Sequence, residues 1–250
     1  MSGDTPSLTY PTAHVAELRL RRGDSSNRLE PRDLEAIIAH MAMIEANADV
    51  HVLLVTAEGK TFCAGFDLNA LTAASSDHGR HGGERAFERA ANAIATARPV
   101  TIAVIDGPVV GGGTDIALAC DLRIGTVRAK MLMPAAKIGV PLYASALQRY
   151  VSRLGLDAAK RLIFLAETID APEMKRIGML TELVDAADTR GRSLAAEIAA
   201  LPPKPIAAMK AALNAAASGN ATAPDMRARL DAAYDPAEIA RRVAAMRAAR

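Results

Sequence analysis

Residues 100–120 read Val100-Thr101-Ile102-Ala103-Val104-Ile105-Asp106-Gly107-Pro108-Val109-Val110-Gly111-Gly112-Gly113-Thr114-Asp115-Ile116-Ala117-Leu118-Ala119-Cys120. Val100 to Ile105 is short, mostly apolar and rich in β-branched residues, which predicts a buried strand. Asp106-Gly107-Pro108 stops it. Gly111-Gly112-Gly113 then opens an apolar helix that runs to Cys120. Consecutive glycines cost backbone entropy, so they make sense where the main chain must come very close to something. At a helix start they present free N–H groups and the positive end of the helix dipole. That suits an anion or a developing oxyanion. Tight packing of the helix under a strand accounts for the same glycines.

Strands and helices alternate on both sides of this stretch. Upstream, His14 to Leu20 reads as a strand, and Pro31 opens a helix with Leu34, Ile37, Ile38, Met41 and Ile44 on one face. Val50 to Thr56 is a buried strand. Residues 72–83, rich in Ala, Ser, Gly and His, read as a mobile loop, and a helix is expected from Glu84 to Ala97. Downstream, Leu122 to Val127, Lys130 to Met133 and Leu180 to Val184 are expected strands. Ala144 to Leu154 is a helix stopped by Gly155, and Asp157 starts the next. A capping box with an internal Pro, Asp170-Ala171-Pro172-Glu173, begins a helix that Gly178 ends. Helices are expected near 188–200, 205–218 and 236–249. Such alternation predicts an α/β class with mainly parallel strands. The amphipathic terminal helices need a partner surface.

The chain has 250 residues, 50% of them apolar but only 3% aromatic, with no Trp. Base-stacking platforms for single-stranded nucleic acid are therefore excluded. The net charge is +2; Arg241, Arg242, Arg247 and Arg250 enrich the C-terminus, where they read as a solvated helix face or a subunit contact. Cys63 and Cys120 have no metal-ligand spacing and read as small buried residues in a reducing compartment. The polar N-terminus lacks a signal-peptide apolar stretch, and no apolar run is long enough to span a bilayer. A cytoplasmic location, no membrane partner, no nucleic-acid partner and no metal are expected.

A second segment, Gly59-Lys60-Thr61-Phe62-Cys63-Ala64-Gly65-Phe66-Asp67-Leu68, follows a strand and turn. The dinucleotide fingerprint, the P-loop and the G-x-S-x-G elbow are all absent. Taken together, the two segments resemble the crotonase superfamily, the enoyl-CoA hydratase/isomerase family. Further matching residues are Arg98-Pro99-Val100, Cys120-Asp121-Leu122, Pro134, Lys137-Ile138-Gly139, Gln148-Arg149 and the stretch from Ala171 to Leu183. The resemblance implies a ClpP/crotonase-like spiral of ββα repeats over residues 1–190. A helical trimerisation region would occupy 191–250, giving a homotrimer or a dimer of trimers. It implies an acyl-CoA substrate, with coenzyme A part of the thioester and no covalently bound cofactor. The backbone N–H groups of Phe66 and Gly112 would form an oxyanion hole. Ala64, Gly65, Asp67 and Leu68 would line the path of the coenzyme, and Arg22 would meet a phosphate, since Asp24 and Asn69 stand where relatives often carry Lys.

The family's hydratases use two glutamates. The first position falls on Asp115 and the second on Ala135, after Pro134. Hydration thus loses one carboxylate, and losing a positioned acid/base group costs a factor of about 10²–10⁴. Asp115 is the expected proton-handling group, with Tyr143 as auxiliary. Isomerase, hydrolase or decarboxylase chemistry stands as the alternative to hydration, and a non-catalytic acyl-CoA-binding scaffold as the alternative to an enzyme. Asp115 in a first helical turn also simply favours the dipole. Asp67 reads as a structural acceptor, Lys137 as solvated or bonded to a carbonyl, Tyr143 as a wall of the acyl pocket, and His78 and His81 as exposed loop residues.

Overall fold

The computed structural model describes residues 4–67, 77–219 and 224–248. They fall into two compact units that divide after Leu201. In the first unit the elements run β1 (Ser7–Thr12), β2 (Val15–Leu20), α1 (Pro31–Ala46), β3 (Val52–Ala57), α2 (Asp77–Ala95), β4 (Val100–Ile105), β5 (Val109–Val110) and α3 (Gly112–Ala119). They continue with β6 (Leu122–Gly125), β7 (Lys130–Leu132), a short 3-10 turn (Ala135–Ile138), α4 (Ala144–Leu154), α5 (Leu156–Leu165), β8 (Ile169–Asp170), α6 (Ala171–Arg176), β9 (Glu182–Leu183) and α7 (Ala187–Ala199). The second unit holds α8 (Pro203–Ala217), α9 (Pro224–Ala232) and α10 (Pro236–Ala248).

The larger sheet has the order β1-β2-β3-β4-β6-β9. Only the β1–β2 pair is antiparallel; Val15 pairs with Val52, Leu54 with Ile102, Ile102 with Leu122, and Ile124 with Glu182. A smaller sheet joins β5, β7 and β8. The chain therefore climbs in ββα steps, β4-β5-α3 and then β6-β7-α4. The first strand of each step enters the large sheet and the second the small one.

Parallel strands covered on both faces become continuous apolar runs, and β3 and β4 are buried nearly throughout. Side chains alternate between faces with a period of two. Leu53, Val55, Ala103 and Ile105 join the core beneath α1 and α2, with Leu34, Ile37, Ala90 and Ile94. Val52, Leu54, Ile102 and Val104 join a second core with Ala187 and Ala195 of α7. Helix α7 is thus part of the first unit, and the division lies after Leu201 rather than after 190.

The α/β class, β4 and α4 are as the sequence predicts. Three elements differ. β1 is an edge strand whose polar residues and Pro11 gave no apolar alternation. α2 starts at Asp77, so part of the expected loop 72–83 is helical, and residues 72–76 lie outside the described residues. α9 has no apolar stripe that would announce it. No described helix is long and apolar enough to cross a membrane.

Candidate active site

The segment 63–67 is laced between its neighbours by its own backbone. Cys63 N–H donates to Pro108 O (3.4 Å), Ala64 N–H to Ser26 O (2.9 Å) and Asp67 N–H to Leu29 O (3.0 Å). Gly65 N–H points at the Cys63 sulfur, 3.4 Å away, and that thiol in turn donates to Asn27 O at 3.2 Å. Burial pushes the Cys63 thiol up to about 12, so it is a neutral hydrogen-bonding group and not a nucleophile. Asn27 anchors the other side, donating to Glu58 O and Thr61 O at 2.7 Å each. In this segment Phe66 N–H alone has no acceptor among the described residues. Its neighbours are both used on the Leu29 strand-like bridge, which turns the Phe66 amide the other way.

The start of α3 packs on the same segment. Val110 N–H donates to Cys63 O (2.9 Å) and Gly111 N–H to Leu132 O (2.8 Å). Gly112 and Gly113, the first residues of the helix, have no backbone acceptor among the described residues, as helix starts require. Gly111 bends into the helix at φ +53°, and Gly65 sits at φ +85°. A Cβ at Gly65 would lie 2.7 Å from Gly112 N and 2.8 Å from Val110 O. A Cβ at Gly112 would strike the Phe87 ring at 2.5 Å. Phe87 also meets Phe66 edge-on, with ring centroids 6.4 Å apart. Glycine is therefore required for close approach on both sides.

One turn into α3 lies Asp115, 2% exposed. Arg149 of α4 grips it at two points, Nε to Oδ1 and Nη2 to Oδ2, both at 2.7 Å. Such a bidentate pair is the strong form of carboxylate recognition. The third nitrogen of Arg149, Nη1, donates to Asn92 Oδ1 of α2 at 2.7 Å. Tyr143, at the N-terminus of α4, donates its hydroxyl to Asp115 Oδ2. Burial, with the Asp115 charge and hydrogen bond behind it, holds the Tyr143 phenol far above the ordinary range. Burial also works against the Arg149 charge, but the bonds to Asp115 outweigh it and raise its pKa. Beside them Thr114 and Tyr150 share a hydroxyl contact in the core.

Of the expected site residues, Gly65 lies against Gly112, Phe66 meets the Phe87 ring that packs on Gly112, and Asp115 meets Tyr143. Arg22 is engaged elsewhere: it holds both oxygens of Asp33, at 2.9 and 3.0 Å, and lies 3.2 Å from Glu30. Glu30 is shared with Arg28 and Arg32. Asp67 stands 3.6 Å from Arg28 as a structural partner. Lys137 donates to Ala166 O at 2.8 Å. Ala135 is buried in the core with Met131 and Met133. Leu68 and Asn69 lie outside the described residues, as do the side chains of His78 and His81. Sequence reasoning missed Asn92 and the role of Arg149. The available signal was Arg149 itself, a charge on the inward face of α4 beside Ala146 and Tyr150.

The chain matches the model of the enoyl-CoA hydratase/isomerase family over residues 11–247. It is similar to YngF of Bacillus subtilis, with 32% identity over 85% of this chain and 82% of that protein. The short-chain-enoyl-CoA hydratase of Clostridium acetobutylicum is 29% identical, over 80% of this chain and 77% of its own length. The structure of Pseudomonas aeruginosa DspI superposes with a TM-score of 0.84 at 30% identity, covering 92% of this chain and 96% of that one.

Proposed function

The chain belongs to the enoyl-CoA hydratase/isomerase family and has its crotonase fold, and we propose that it is an enzyme that holds the carbonyl oxygen of an acyl-CoA thioester on the amides of Phe66 and Gly112. The observation that carries this reading is the donor count. Every other amide of the 63–67 segment is used, Phe66 N–H has no acceptor among the described residues, and Gly65 next to it lies against Gly112 N. Fixed donors cost no reorganisation when charge develops, and each is worth about 2.7–4 kcal/mol in the transition state. Two of them stabilise the enolate formed when the Cα proton leaves.

The proton step is assigned to the Asp115–Tyr143 pair. Asp115 lies three residues after Gly112 on α3, so both are on one helix face. A methyl group stands at Ala135, where hydratases and single-base isomerases of the family both carry a carboxylate, and both oxygens of Asp115 are hydrogen-bonded, so activation of water and removal of a Cα proton are weakened alike. The step proposed is transfer of the Cα proton to Asp115, with the bonding electron pair held as the enolate. The helices of residues 202–250 carry exposed apolar side chains such as Leu213 and Met246, which supports a trimerisation role.

A panel of saturated, 2-enoyl and 3-enoyl thioesters tests the assignment. Products are followed by NMR, with CoA-ester binding by calorimetry alongside. Double-bond migration or solvent-hydrogen exchange at Cα is expected. Tight binding without turnover of any ester would leave a non-catalytic acyl-CoA-binding protein instead.

A further inference from the structure

The N–H of Gly112 shares its peptide unit with the carbonyl of Gly111. A trans peptide is rigid and planar, with its C=O and N–H pointing opposite ways, so whatever holds Gly111 O also aims Gly112 N–H. Two bonds hold it: Thr114 N–H donates to Gly111 O at 3.0 Å, and the Thr114 hydroxyl donates to the same oxygen at 2.6 Å. Gly111 itself sits at φ +53° and ψ −127°, outside the helical and extended regions, and glycine offers little resistance to rotation there. A threonine hydroxyl that bonds back three residues is an ordinary local contact. Its second partner is not local: the Tyr150 hydroxyl, brought from α4 across 36 residues of chain. A hydroxyl has one proton, and that of Thr114 is spent on Gly111 O, so Tyr150 is the donor between the two. Both residues are fully buried. Burial holds the Tyr150 phenol far above its ordinary range, so it keeps its proton.

We propose that Thr114 and Tyr150 are positioning residues, which act through the Gly111 carbonyl to aim and strengthen Gly112 N–H as a donor to the thioester oxygen. This inference rests on the acyl-CoA reading above and deepens it. The chain of bonds runs from the Tyr150 hydroxyl to the Thr114 hydroxyl to Gly111 O. Each bond in such a chain polarises the next, and electron density drawn onto Gly111 O leaves Gly112 N–H the better donor. A donor fixed in this way needs no reorganisation when negative charge develops on its acceptor. Neither side chain touches the substrate.

The test uses butyryl-CoA labelled with ¹³C at the thioester carbonyl and bound to the intact protein, with the carbonyl band read by difference infrared spectroscopy. Thr114→Val keeps the side-chain shape and removes the hydroxyl; it is expected to lose a large part of the shift to lower frequency that the wild type imposes. Exchange of the Cα hydrogens with solvent, followed by NMR, should slow in that variant by up to about 10²-fold. Thr114→Ser restores the hydroxyl and should restore both readouts. Tyr150→Phe removes one oxygen from the chain and should weaken the shift in the same direction; it decides the matter if thermal melts show that Thr114→Val does not fold. A full wild-type shift in folded Thr114→Val or Tyr150→Phe overturns the inference and leaves the acyl-CoA reading standing. Failure of both to fold assigns the pair to the fold rather than to the donor and overturns the inference as well. A wild type that does not bind the ester, or binds it with an unshifted band, overturns the acyl-CoA reading and this inference with it.

Discussion

At the residue scale the site depends on groups that do not ionise and side chains that are missing. Gly65 has no Cβ because one would sit against Gly112 N and Val110 O. Gly65→Ala, at φ +85°, is therefore expected to destabilise the fold by about 1–3 kcal/mol. It should also cost about 10²–10³ in kcat by displacing a donor, as read by thermal melts and steady-state turnover. Cys63 gives a pH test. Its folded-state pKa is raised from 9.0 to about 12, chiefly by burial. Above pH 9.0 the unfolded thiol releases its proton and the folded one does not, so the folded state loses ground until about pH 12. The stability advantage of wild type over Cys63→Ala should shrink by about 1.4 kcal/mol per pH unit across that window. A pH-independent difference in denaturant melts would contradict the assignment. The glycine run 111–113 announced a close main-chain approach in the sequence, whereas Phe66 and Gly112 as a donor pair were expected only through the family resemblance. The ion pairs of Arg22 with Asp33 and Glu30 had no signal in the sequence, because no spacing rule pairs residues 8 and 11 positions apart across a turn.

At the element scale the salt-bridged cluster is a joint between helices. Asn92 belongs to α2, Asp115 to α3, and Tyr143 and Arg149 to α4. Through Phe87, α2 also packs on Gly112 and Phe66, the residues proposed as donors. Asn92→Ala removes one hydrogen bond to a charged group and should cost about 1–3 kcal/mol. Faster hydrogen exchange in α2 than in α1 should accompany it; uniform exchange would deny the joint. Local pattern predicted β4 and α4 because apolar runs and Gly155 mark their limits. It missed the early start of α2, where Gly79, Gly82 and Gly83 weaken the helical signal. The Arg149–Asp115 contact spans 34 residues of chain, beyond any spacing rule.

At the scale of the whole molecule, an α/β body of stacked ββα steps carries the site, and a separate set of helices follows Leu201. The alternation of strands and helices made the body legible. Its boundary was not, because α7 looks like any amphipathic helix until Gly191 and Ala195 are seen buried on the sheet. Light scattering should return a mass above that of one 26.2 kDa chain, a trimer or a multiple of it; a monomer would contradict the role given to residues 202–250. The central claim is that two main-chain donors polarise a thioester carbonyl. Difference infrared spectroscopy of an acyl-CoA labelled with ¹³C at that carbonyl reads this bond alone. The bound carbonyl band should move to lower frequency than in free ester. An unshifted band at full occupancy would show that Phe66 and Gly112 do not hold that oxygen.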